Sequence, residues 1–367
     1  MLPSLRLHPR RPGEAIPSSV HTQPTSSGDV PADVERDHGW LVRVWVVAAV
    51  FAGVMFLRSA AVGIPPRDPH GAIFVSRLLL SLAILLVLAL VDAVVRSPGR
   101  RRSPRSVAQV LRRRWTPRRL MLVLLGLLAY HVVYFSYHNL KSWDVLNHPR
   151  DRFLLQVDRW IFVGHDPAVL LHSLLGQHFA AYVLLVFYES FSTVVSIALV
   201  ASLVFTEHVR DGFVYIASAV WVWILGVVSY YAIPSLGPFH SAPQDFAGLP
   251  HTMVQDTQAR YLAQRAYLLA HPGAPDAFAQ ISAFASLHVA VTTLLFLMAR
   301  YYRLRRTTIA LGIYVAITIV ATVYLGWHFA VDDIAGLLIA VVSVFVGSRM
   351  IYPHGGRRSF EDAESTA

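Results

Sequence analysis

Apolar residues run almost unbroken over roughly 40–63, 72–95, 119–137, 179–205, 212–233, 281–301, 306–326 and 329–351. Each run is about long enough to cross a bilayer as a helix. Backbone groups in lipid must be satisfied within the segment, so helix is the expected form. The pattern predicts an all-α integral membrane protein with about eight transmembrane helices. Arg43 and Arg58 interrupt the first run, and both side chains are long enough to snorkel to the interfaces. Two long stretches lie between runs. One, 138–178, contains LLQVDRWIFVGHDPAVLLHSLLG and predicts amphipathic helix along the membrane. The other, 234–280, begins PSLGPFHSAPQD and is longer than an idle connection needs to be. Residues 1–38 show no apolar periodicity and read as a disordered cytoplasmic tail, with 353–367 as a second polar tail.

Composition agrees. The 367 residues are 55% hydrophobic and 15% charged, with a mean hydropathy of +0.49. There is no cysteine, which removes disulfides, thiolate metal sites and cysteine nucleophiles. The formal charge of +10 is concentrated in arginines, and no nucleic-acid-binding motif accompanies them. The loop RSPGRRRSPRSVAQVLRRRWTPRR, residues 96–119, is short and strongly basic, so the positive-inside rule places it in the cytoplasm. Arg303, Arg305 and Arg306 then fall on the same side, as do Arg349, Arg357 and Arg358. Both termini come out cytoplasmic. Trp40 and Trp327 fall near span ends, where interfacial aromatics are expected.

This topology brings two fragments to the outer face. FASLHVAVTTLLF (284–296) opens the sixth run with Ser286 and His288, and YLGWHFAVDDIAG (324–336) opens the eighth with His328 and Asp332. His328 and Asp332 are spaced i, i+4 and share a helix face. A carboxylate there can fix the imidazole tautomer and raise the basicity of the other nitrogen, while His288 could serve as a general acid. Ser286 and a helix N-terminus suit an anion such as phosphate. The pair alone could equally be a structural hydrogen bond or half of a metal site. His131, His138 and His178 read as interfacial polar residues. Glu189, in FYESF, either lines a pocket or ties helices together.

The two fragments resemble the second and third motifs of the type 2 phosphatidic acid phosphatase superfamily, Pro-Ser-Gly-His and Ser-Arg, five residues, then His-x-x-x-Asp. Here the second reads Ala285-Ser286-Leu287-His288, and the third ends in His328 through Asp332. The Ser-Leu-His form with His-aromatic-x-x-Asp is closer to the inositol phosphorylceramide synthase-like branch. The resemblance covers about 119–352. It implies that the last six helices form a phosphatidic acid phosphatase-like bundle, with residues 39–118 a two-span extension carrying the basic loop.

It also implies a metal-independent lipid phosphatase or head-group phosphotransferase without a cofactor. His328 would be the nucleophile, forming a phosphohistidine; Asp332 would orient it, His288 would protonate the leaving oxygen, and Ser286 would contact phosphate. The expected partners are the membrane and a lipid phosphate, phospholipid or polyprenyl phosphate, acted on at the outer face of the plasma membrane. A non-catalytic lipid transporter or scaffold of the same fold is the alternative. Some motif residues differ. Ala321 and Thr322 stand where the third motif has Ser-Arg, and the first motif, Lys, six residues, Arg-Pro, is absent after the fifth run. Lys141 to His148-Pro149 nearly matches it but follows the third run, and reads as coincidence.

Overall fold

A computed structural model describes residues 38–97 and 103–353. Nearly all of both expected tails, and residues 98–102 of the basic loop, lie outside the described residues, as do Arg357 and Arg358. The helices in chain order are α1 (Gly39–Val62), α2 (Val75–Arg96), α3 (Pro104–Arg114), α4 (Pro117–Asp144), α5 (Asp151–Ile161), α6 (Pro167–Leu175), α7 (Phe179–Val204), α8 (Val209–Ala232), α9 (Met253–Ala270), α10 (Leu287–Tyr301), α11 (Arg305–Tyr324) and α12 (Ala330–Ile351). Among the described residues there is no strand. Seven helices, α1, α2, α4, α7, α8, α11 and α12, are long and apolar enough to cross a membrane. The eighth apolar helix, α10, has 15 residues.

All eight predicted runs are helices, but the sixth is cut short. Its first six residues stay out of the helix because their backbone is bonded elsewhere. The Ala283 N–H donates to the Ser235 carbonyl at 2.9 Å, Phe284 N–H to the Ser235 hydroxyl at 2.8 Å, and Ala285 N–H to the Ser229 hydroxyl at 3.0 Å. Helix α10 starts only after Ser286, whose hydroxyl caps it by accepting the Val289 N–H.

Helix α8 is the axis of the bundle. Residues such as Phe213, Val214, Ile216 and Val220 are fully buried on it, and it packs against α4, α7, α10 and α12. Close packing in lipid relies on small residues at the crossings. Gly347 of α12 lies against Ser218 of α8, and Gly336 of α12 against the Ser286 carbonyl; a Cβ at either position would collide. Leu86, Leu90, Val186, Ile309, Ile313 and Leu338 face outward and give the bundle an apolar belt.

The arginines of α1 have partners within the bundle. Arg43 Nε donates to the Met350 carbonyl, in the last turn of α12, at 2.6 Å, and Arg58 lies over the Tyr231 ring. Trp40 and Trp327 stand at helix ends but are buried, Trp40 edge-on against Phe213 at 4.6 Å. At the arginine-rich end, Asp92 pairs with Arg96 and Arg114, both at 2.7 Å. The Arg119 guanidinium caps the C-terminus of α7 by donating to the Leu203, Val204, Thr206 and Glu207 carbonyls.

Candidate active site

The site is built from α5 upward. This short helix turns one face inward, burying Asp151, Leu154 and Asp158. Asp151 accepts the Leu236 and Gly237 N–H groups at 2.8 and 2.9 Å. Asp158 accepts the first two N–H groups of α12, Ala330 at 2.7 Å and Val331 at 2.9 Å. Helix termini leave such donors unsatisfied, so Asp158 is an N-terminal anchor supplied from another helix. Burial pushes its carboxyl up to about 6, against the opposing pull of those two donors. Gly237, with φ +107°, lies close against the Trp327 carbonyl where a Cβ would collide, and Phe239 N–H donates to the Gly326 carbonyl at 3.0 Å. These contacts fix the turn that presents His328.

The two histidine fragments are joined directly. Ser286 N–H donates to the Asp332 carbonyl at 3.0 Å, a contact that the absence of a side chain at Gly336 permits. The His288 and His328 rings then stand with centroids 5.9 Å apart. That is about two hydrogen-bond lengths, a gap one phosphoryl group can bridge. Tyr188 stacks on His288 at 4.5 Å, and Phe191 flanks it at 4.4 Å. His328 Nδ1 lies 3.4 Å from Asp332 Oδ2, a long contact, while the same oxygen accepts the Phe329 N–H at 3.1 Å. Asp332 is fully buried.

Both imidazoles open into a cavity of about 310 Å³. Its walls include Arg77 from α2, Lys141 from α4, Glu189 from α7 and Arg260 from α9. Three cationic side chains against one carboxylate make it a site for anions. Lys141 is the near match of the sequence; its ammonium lies over the Tyr230 ring at 5.6 Å, in the wall that it shares with both imidazoles. Sequence reading set this near match aside as coincidence because it follows the third run; the structure places the lysine in the cavity wall. Ala321 and Thr322, at the Ser-Arg positions, are buried, and Thr322 donates to Asp333 at 2.9 Å.

Ser286 does not line the cavity. It is fully buried beneath the wall, its hydroxyl engaged in capping α10. Glu189 does line it, as does His138, which sequence reading placed at an interface. His131 is buried and structural, donating from Nδ1 to the Leu127 carbonyl at 2.7 Å and facing Ser81. Helix α9, capped by the reciprocal Thr252–Gln255 box, has no apolar run to announce it, and it supplies Thr257, Arg260 and Tyr261 to the wall. Among the described residues, no three His, Asp or Glu side chains gather as a metal site requires.

Fold and site define a multi-pass membrane helical bundle with a histidine pair at one end. The profile of the PAP2 superfamily matches residues 152–346, more than half of the chain, and the protein belongs to that superfamily. No curated protein and no solved structure matches the chain.

Proposed function

We propose that the protein is a lipid phosphatase or lipid head-group phosphotransferase working through a phosphohistidine on His328. The observation that carries this reading is the meeting of His288, in the first turn of α10, and His328, in the turn before α12, in one cavity with a lysine beside them. Nδ1 of His328 faces Asp332, which leaves Nε2 to attack. In the first step Nε2 forms a bond to phosphorus and the bond to the leaving oxygen breaks, with a proton from His288 passing to that oxygen. In the second, His288 takes the proton of a water or alcohol, whose oxygen displaces the imidazole from phosphorus. Lys141 balances charge on the phosphoryl oxygens in both. Asp332 orients His328, and Ser286 acts by fixing the start of α10, with His288 in its first turn.

The unit that does this chemistry is taken as residues 119–352, working at the outer face of the plasma membrane with both termini cytoplasmic. Ser-Leu-His followed by His-Phe-x-x-Asp supports the inositol phosphorylceramide synthase-like branch, and so transfer to an alcohol over plain hydrolysis. The decisive experiment incubates purified protein with lipid phosphates, phospholipids and polyprenyl phosphates, with and without alcohol acceptors. Both free phosphate and new phospholipids are measured. New phospholipid establishes transfer, and free phosphate alone establishes a phosphatase. Neither product from any substrate would leave a transporter or scaffold.

A further inference from the structure

Resting on that reading, we propose that Arg77 is an anion-binding residue of the substrate cavity and takes a second negative group on the lipid head. The residue stands in the first turn of α2, well outside the residues that match the family profile. It lines the cavity that holds His288 and His328. It also lines a smaller cavity of about 50 Å³ between α2, α4 and α7, so it stands where the two meet.

The other arginines of the α1–α2 hairpin have structural partners. Arg67 is buried; its N–H donates to Asn139 Oδ1 at 2.7 Å, and its guanidinium donates to the Ala277 carbonyl and to the Pro272 carbonyl at 2.7 Å. Asn139 returns a bond to the Arg67 carbonyl at 3.1 Å. The hairpin is thereby fastened to both cavity walls, two residues before Lys141 and three before Gln280. Among the described residues the Arg77 guanidinium makes no hydrogen bond or ion pair, although Glu189 lines the same cavity. A guanidinium left without a protein partner in a cavity wall is available to an anionic ligand.

The two cations serve different parts of the cavity. Lys141 lines only the cavity that holds both imidazoles, whereas Arg77 also lines the smaller one, which neither His288 nor His328 reaches. Arg77 is therefore placed for an anionic group other than the phosphoryl group under attack. A guanidinium fork binds phosphate or carboxylate bidentately. The substrate class that follows is a lipid whose head carries a second phosphate or a carboxylate.

The test compares three substrates of equal chain length: a lipid monophosphate, the corresponding diphosphate, and a phosphodiester bearing a carboxylate. Arg77→Gln should lower kcat/KM roughly 10- to 100-fold on the diphosphate, the carboxylate lipid or both. The loss on the monophosphate should be clearly smaller than the loss on the two-anion substrate. Which two-anion substrate suffers identifies the second group, and Arg77→Lys should recover part of the loss. In parallel, pyrophosphate should raise the melting midpoint of the full-length protein more than orthophosphate does, and Arg77→Gln should erase the difference. Equal loss on all three substrates, or no loss on any, overturns the proposal. If no lipid is turned over at all, the proposed function falls, and the pyrophosphate shift alone decides whether Arg77 binds anions.

Discussion

With ring centres 5.9 Å apart, His288 and His328 are close enough to divide one phosphoryl group and one proton between them, and substitution should separate those duties. His328→Ala should abolish turnover and any acid-labile phosphoenzyme. His288→Ala removes leaving-group protonation, typically worth roughly 100- to 10,000-fold, and should matter least with a nitrophenyl ester, whose leaving group needs no proton. Comparing the two variants on activated and alkyl esters checks this; rescue of His328→Ala with a dead His288→Ala would reverse the roles. Lys141→Met should reduce kcat/KM on every phosphate substrate by roughly 10- to 100-fold, the usual worth of a charged contact. A steady-state comparison with Arg260→Met, on the more exposed wall, measures it. The histidines and Asp332 were legible because a polar residue in an apolar run stands out. Lys141 was passed over, since its motif spacing stood on an unexpected helix and read as coincidence. Asp158 was not legible, because a carboxylate on an amphipathic helix reads as a solvated face until its two N–H donors, 172 and 173 residues away, are known.

At the scale of elements, hydrophobic runs mark helices and say little about where a helix begins. The start of α10 is set by Ser229 and Ser235, some 50 residues upstream, and no local pattern could show it. Helix α9 was missed because it is too polar to span and too well solvated to show a strong stripe. The start of α12 depends on α5 through Asp158. Asp158→Ala should free two helix-terminal donors and cost about 1–3 kcal/mol, lowering the melting midpoint. As the His328 turn loosens, kcat should fall more than KM rises. Asp158→Asn keeps one acceptor oxygen and should lie between the two. A variant that melts early yet keeps full kcat would show that the anchor stabilises the fold without positioning the histidine.

For the whole molecule, the two histidine fragments share one end of the bundle and the arginine-rich helix α3 stands with Arg96 and Arg119 at the other. The proposed orientation is tested by single cysteines at Ala266, on α9, and Gln109, on α3, in a chain that has no native cysteine. An impermeant thiol reagent should label Ala266→Cys in intact cells and spare Gln109→Cys until the membrane is opened. The opposite pattern would invert the topology. Overall helical architecture was legible from runs and arginine asymmetry alone. The hairpin α1–α2 looked like an appendage because its links to the cavity are single side chains, Arg67 and Arg77, scattered through otherwise unremarkable sequence. The brevity of α10 has one further consequence. Fifteen residues at about 1.5 Å each reach about 22 Å, short of the roughly 30 Å hydrocarbon slab. Such a helix cannot fill the slab, so the bilayer thins around it or one of its ends, at His288 or at Tyr301, lies inside the hydrocarbon. Hydrophobic mismatch is thus built into the helix that carries His288, and membrane thickness becomes a physical input to how readily a headgroup meets the histidines.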